Sequence, residues 1–205
     1  MNRNVLSTLP AALAAAFIAG CAQPDAQPTL PDHIDIHQAA ATIAVPGDYG
    51  TIAAALAAAG AGDTVSVAAG TYAEDLTIPG GVILQGAGID NTIIEGELTV
   101  SGGEAGIVSL NLVGPGASAN TIGLLVGPGD SVEVVSARFS NWWTAIQLDT
   151  GANPSGGIPV VRRMTLQNNG YGVVVQSGDV DLNNNYFAYN VRSGAYAYDL
   201  SLIHI

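Results

Sequence analysis

The apolar residues of this chain change their rhythm once, at Gly60. Ahead of that point Ile52, Ala55, Leu56 and Ala59 recur at i, i+3, i+4 and i+7, which puts them on one face of a short helix. Thr51 stands where an N-cap belongs, and Gly60 and Gly62 supply the stop. After it the period becomes two. Val65/Val67, Leu76/Ile78, Val82/Leu84 and Ile93/Glu95 are divided by Gly, Pro or Asn, and this predicts short strands joined by tight turns.

The later part of the chain aligns with itself. Leu112 in "LNLVGPG", Phe139 in "SARFSN", Leu166 in "RMTLQNN" and Phe187 in "NNYFAYN" lie 27, 27 and 21 residues apart. Each is followed by a second strand signal: "IGLLV", "TAIQL", "YGVVV" and "GAYAY". A repeat of this length is one coil of a solenoid, in which each rung buries its apolar side chains against the next. Leucine-rich repeats share the length, but their L-x-x-L-x-L framework is missing. Asn141, Asn168 and Asn190 follow the aligned residues and are expected to be turn asparagines in left-handed conformation, bonded along a ladder.

One segment is more specific. In "VPGDYGTIAAALAAAGAGDTVSVAAGTY", continuing to "GVILQG", the order and spacing of Val45 to Tyr49, Thr51-Ile52, Ala55-Leu56, Gly62 to Val65, Val67, Gly70, Tyr72, Gly81-Val82, Leu84 and Gly86 resemble the opening of right-handed parallel β-helix proteins of the pectin lyase-like superfamily. Gly70, Tyr72 and Glu74 look like the G-x-Y-x-E signature near the start of pectin methylesterase-like chains. The resemblance implies an all-β fold over residues 44–199, a right-handed parallel β-helix solenoid whose short N-terminal helix caps the first coil. It also implies carbohydrate as the partner class.

Composition narrows the partners. Of 205 residues only 11% are charged; the basic ones are five arginines with no lysine, and the net charge is −12. Phosphate backbones need a basic face, so nucleic acid is not an expected partner. The two ends read as something other than fold. Arg3 followed by "VLSTLPAALAAAFIA" and "IAGC" resembles a bacterial lipoprotein signal over residues 1–20, with Cys21, the single cysteine, as the lipidated residue. The expected location is therefore the bacterial cell envelope, with a lipid anchor holding the chain to a membrane; Ala22 after the cysteine is compatible with the outer one. Residues 21–43, rich in Pro, Gln, Asp and Ala, read as a flexible tether. His33 and His37 lie there without a helix to pair them, and no metal or cofactor site is expected. The last six residues, "LSLIHI", match the translation of a sequencing adaptor, so the chain is expected to be a C-terminally truncated fragment.

Catalytic chemistry is not legible. Pectin methylesterases carry two aspartates within motifs such as Q-D and D-F-I-F-G, with an arginine nearby. The nearest string here, "IQLDTG" with Gln147 and Asp149, does not match. Arg162 and Arg163, adjacent on a predicted strand, should point to opposite faces, one of them inward unless the strand bulges. Glu95, Glu97 and Glu104 fall near one coil and read as solvated rim charges. Aromatic residues carry the better signal. Trp142 and Trp143 lie at a predicted turn, and Tyr171, Tyr186, Tyr189, Tyr196 and Tyr198 gather in the later coils. Exposed aromatic faces stack on sugar rings, so Trp142, Trp143, Tyr171 and Tyr189 are the candidate carbohydrate-binding residues. Two readings follow: a polysaccharide-binding or adhesion-type scaffold, or a carbohydrate-active enzyme whose catalytic coils lie outside this sequence. A helper for metal or cofactor assembly ranks below both, for want of His, Met or Cys clusters.

Overall fold

The alternating segments do pair, and always in the same direction. In the computed structural model, which describes residues 41–117, 120–151, 157–199 and 203–204, the strands form three sheets, every neighbouring pair parallel. The chain visits the sheets in rotation. The first holds eight strands: Thr42–Val45, Thr64–Val67, Ile83–Gly86, Glu104–Val108, Ser131–Val135, Val160–Arg162, Val180–Asn183 and Ile203–His204. The second has six, from Gly70–Tyr72 through Arg138–Ser140 to Tyr186–Ala188. The third also has six, among them Ile122–Val126, Thr144–Asp149, Tyr171–Ser177 and Ser193–Asp199. This is a right-handed parallel β-helix.

Registry explains the core. Val65, Leu84, Ile107, Val134, Val161 and Leu182 stack in the first sheet. Leu98, Leu124, Ile146 and Val173 do so in the third. Leu112, Phe139, Leu166 and Phe187 are direct neighbours in the second, as their alignment in the sequence requires. The shortest of those separations, 21 residues, is a plain coil. The longer ones absorb extra residues between strands, most of all from Thr150 to Pro159 between the third and first sheets.

The predicted helix is α1, Ile52–Ala58, with Ile52, Ala55 and Leu56 buried. The hydroxyl of Thr51 accepts from the Ala54 amide at 3.2 Å. Glu74 completes the cap: its carboxylate accepts the amides of Ile52 at 3.2 Å and Ala53 at 2.9 Å. Those amides are among the four that a helix N-terminus leaves unsatisfied. In this chain, then, the glutamate of the G-x-Y-x-E string pins the capping helix to the first coil, and Tyr72 bonds the Ala68 carbonyl with its hydroxyl.

The corner between the second and third sheets corrects one expectation. Asn141 and Asn168 have φ of 64° and 59°, as a left-handed turn residue should. The residue in register with them is Tyr189, at φ 55°, not Asn190. Asn190 aligns one position later, with Asn169 and Trp142. Asn169, fully buried, accepts the Trp142 amide at 2.9 Å and donates to the Phe139 carbonyl at 3.1 Å. Asn190 accepts in turn from the Asn169 amide at 3.1 Å. The asparagine ladder is real but sits one residue further along, inside the corner.

Candidate functional site

The third sheet turns an aromatic ledge outward, and a glycine makes it possible. Trp143, Gly170 and Arg192 occupy the same position in successive coils, tied by the backbone bonds Tyr171 N to Trp143 O and Arg192 N to Gly170 O, each 2.8 Å. A Cβ at Gly170 would lie 2.5 Å from the Trp143 carbonyl oxygen and 3.2 Å from its indole ring. Without one, the Arg192 guanidinium reaches across the gap and settles 4.6 Å from the Trp143 ring centre and 5.7 Å from that of Tyr171. Tyr171 meets Trp143 edge-on at 5.9 Å. From there the rings continue, Tyr171 to Tyr196 at 5.8 Å and Tyr196 to Tyr198 at 4.8 Å. Edge-on contacts of this kind hold rings in place beyond what their burial provides. Gln147 and Gln176 add amides beside the rings, and the whole encloses a shallow concavity of about 270 Å³. Tyr196 is 42% exposed and Tyr198 66%.

Of the four aromatic residues expected to meet sugar, Trp143 and Tyr171 belong to this ledge. Trp142 does not. It is 1% exposed, and its indole N–H points at the Leu112 carbonyl, 3.4 Å away. Its column in the register is that of Asn169 and Asn190, whose side chains also turn into the corner. Gly114 and Gly123 leave the space it fills, since a Cβ on either would come within 2.6 Å and 3.1 Å of the indole. Trp142 is thus a core plug and offers no face to a ligand. Tyr189 is 83% exposed but stands on the adjacent corner, apart from the ring chain. Arg192 went unnoticed in the sequence; aligning Trp143 with Gly170 and Arg192 by coil would have found it.

A second cluster lies on the outer face of the first sheet. Glu133 is buried, 1% exposed, and paired with the Arg162 guanidinium through Oε1. Its Oε2, the Ser131 hydroxyl and the Arg162 Nε have no hydrogen-bond partner, which is unusual for buried polar atoms. Glu104, in register with Ser131, sits beside them under Gly157. Burial raises the Glu104 carboxyl above its ordinary 4.5, and the negative charge of Glu133 raises it further. Two carboxylates share one guanidinium, so the raised carboxyl is the physical response to one excess buried charge. Here three sequence expectations change. The strand ends at Arg162, and Arg163 takes a left-handed φ of 54° just beyond it, so neither arginine faces the core. Carboxylates do gather on Arg162. And Glu104 is parted from Glu95 and Glu97, which with Asp75 line a different cleft of about 600 Å³ between the second and third sheets.

Among the described residues no group of three or more His, Cys, Asp or Glu is placed to hold a metal, and no helix is long and apolar enough to cross a membrane. Cys21, His33 and His37 lie outside the described residues, as do Leu200, Ser201, Leu202 and Ile205 of the final six. Compared with known protein families, with curated proteins and with solved structures, the chain matches none.

Proposed function

We propose that this chain is a lipid-anchored β-helix protein of the bacterial cell envelope that holds polysaccharide on the outer face of its third sheet. The observation that carries the reading is the ring chain Trp143–Tyr171–Tyr196–Tyr198 with amides beside it. Rigid rings give contact area at low entropy cost, and amides give hydrogen bonds to hydroxyls. Kinship with the pectin lyase-like superfamily rests on the motif string from Val45 to Gly86, and the anchor on the context of Cys21. Retention in gels containing soluble polysaccharide tests the binding: the full chain is slowed, and Tyr196→Ala with Tyr198→Ala is slowed far less. Incorporation of labelled fatty acid, lost in Cys21→Ser, tests the anchor.

A second reading, a carbohydrate-active enzyme, is favoured by one observation: the Glu104–Glu133 pair, one carboxyl raised and the other held by Arg162. Paired carboxyls in unlike environments are how acid and base roles divide. Release of reducing sugar by the full chain, abolished in Glu104→Gln, would support it.

A further inference from the structure

We infer that the ledge is built for an extended anionic glycan laid along the solenoid axis, with Arg192 as the contact for its acidic groups. This rests on the polysaccharide-binding reading and gives it a direction and a charge.

The direction follows from the repeat. Neighbouring strands of a sheet are about 4.8 Å apart, so each coil advances the surface by that much. That step is close to the length of one sugar unit in an extended chain. The ledge spans successive coils: Ile122, then Trp143 with Gln147, then Tyr171 with Gln176, then Tyr196 with Tyr198. A compact sugar would need one platform. Four in line, each one coil further on, suit a linear chain that runs across the strands.

The charge follows from Arg192. Arg138 and Arg162 are each spent on a carboxylate, Asp90 and Glu133. Arg192 has no carboxylate partner among the described residues; it lies against the Trp143 and Tyr171 rings. Stacking occupies the flat face of a guanidinium and leaves its N–H edge for acceptors. That edge forms a fork that matches a carboxylate or sulfate bidentately. In a chain of net charge −12, whose overall field repels anions, a stacked cation beside a ring chain selects at contact range.

The test uses oligomers of a linear hexuronate, two to six units long, and the same oligomers carboxyl-reduced to neutral sugars, titrated calorimetrically into the full chain. Affinity for the acidic series should climb to about four units and then level off, since four coils carry the ledge. It should exceed the neutral series by roughly tenfold, the worth of one charge-assisted contact. Arg192→Gln should erase that preference and leave neutral binding unchanged, while Arg192→Lys restores part of it. Equal binding of the two series, or a preference that survives Arg192→Gln, overturns the inference and leaves polysaccharide binding standing. Binding of neither series, with no retention on any polysaccharide, overturns both.

Discussion

The outer faces of the first and third sheets are made by the same coils and are opposite in character. On the third, polar and aromatic side chains remain open: Tyr196 and Tyr198 are exposed and their rings touch only each other and their coil neighbours. On the first, Glu133 is closed in, matched against Arg162 and left with one oxygen unsatisfied. The residue counts between strands explain the contrast. Most coils pass from the third sheet to the first in a few residues, but the one after Asp149 takes ten, and Gly157 of that connection comes down over Glu104 and Ser131. A parallel β-helix fixes its interior by stacking like on like, so its outer faces are free to diverge. What differs between them is how much chain is laid on top.

The contrast between inside and outside can be broken most sharply at two adjacent residues. Trp142→Ala empties a core corner and should cost about 3–5 kcal/mol in denaturant unfolding. Trp143→Ala, one residue on, should cost far less stability but weaken polysaccharide retention. Next in size is the first sheet. Arg162→Ala strands the Glu133 carboxylate and should cost about 3 kcal/mol, at the low end for a buried pair because Arg162 is partly exposed. Replacing both, Glu133→Leu with Arg162→Met, should recover most of that loss, because a buried ion pair exchanged for apolar groups is close to neutral.

Glu104 gives a smaller, signed effect. Its folded carboxyl titrates above the ordinary 4.5, so its proton is bound more tightly in the folded chain than in the unfolded one. That stabilisation is complete below the unfolded value and is lost as pH rises through the raised one. The melting temperature should therefore fall as pH rises through this range, and Glu104→Gln, neutral throughout, should flatten the fall. Smallest of all, Tyr198→Ala should shift stability by less than about 0.5 kcal/mol, as a surface substitution does, and be seen only in binding.

Much of the fold was legible because it depends on short-range rhythm. The helix from Ile52, the two-residue alternation and the alignment of Leu112, Phe139, Leu166 and Phe187 all report which face a residue occupies. The sites were harder for the same reason. Trp142 and Trp143 are adjacent, and a single step through a corner where Asn141 takes left-handed φ decides which of them is buried. Asn190 was assigned by its nearness to Phe187, and the left-handed place had gone to Tyr189. Glu133 and Arg162 lie 29 residues apart, and only coil stacking brings them together. Glu74 carried a recognisable string, but its contact with the Ile52 and Ala53 amides is made across the fold.

One comparison decides between the two faces most directly: retention of the full chain in a polysaccharide gel, set beside Tyr196→Ala with Tyr198→Ala on the third sheet and Glu104→Gln on the first. The ledge variant should migrate as freely as in a gel without polysaccharide, and Glu104→Gln should be retained like the parent. Retention that survives loss of both tyrosines yet disappears with Glu104→Gln would place the glycan on the other face and contradict this account.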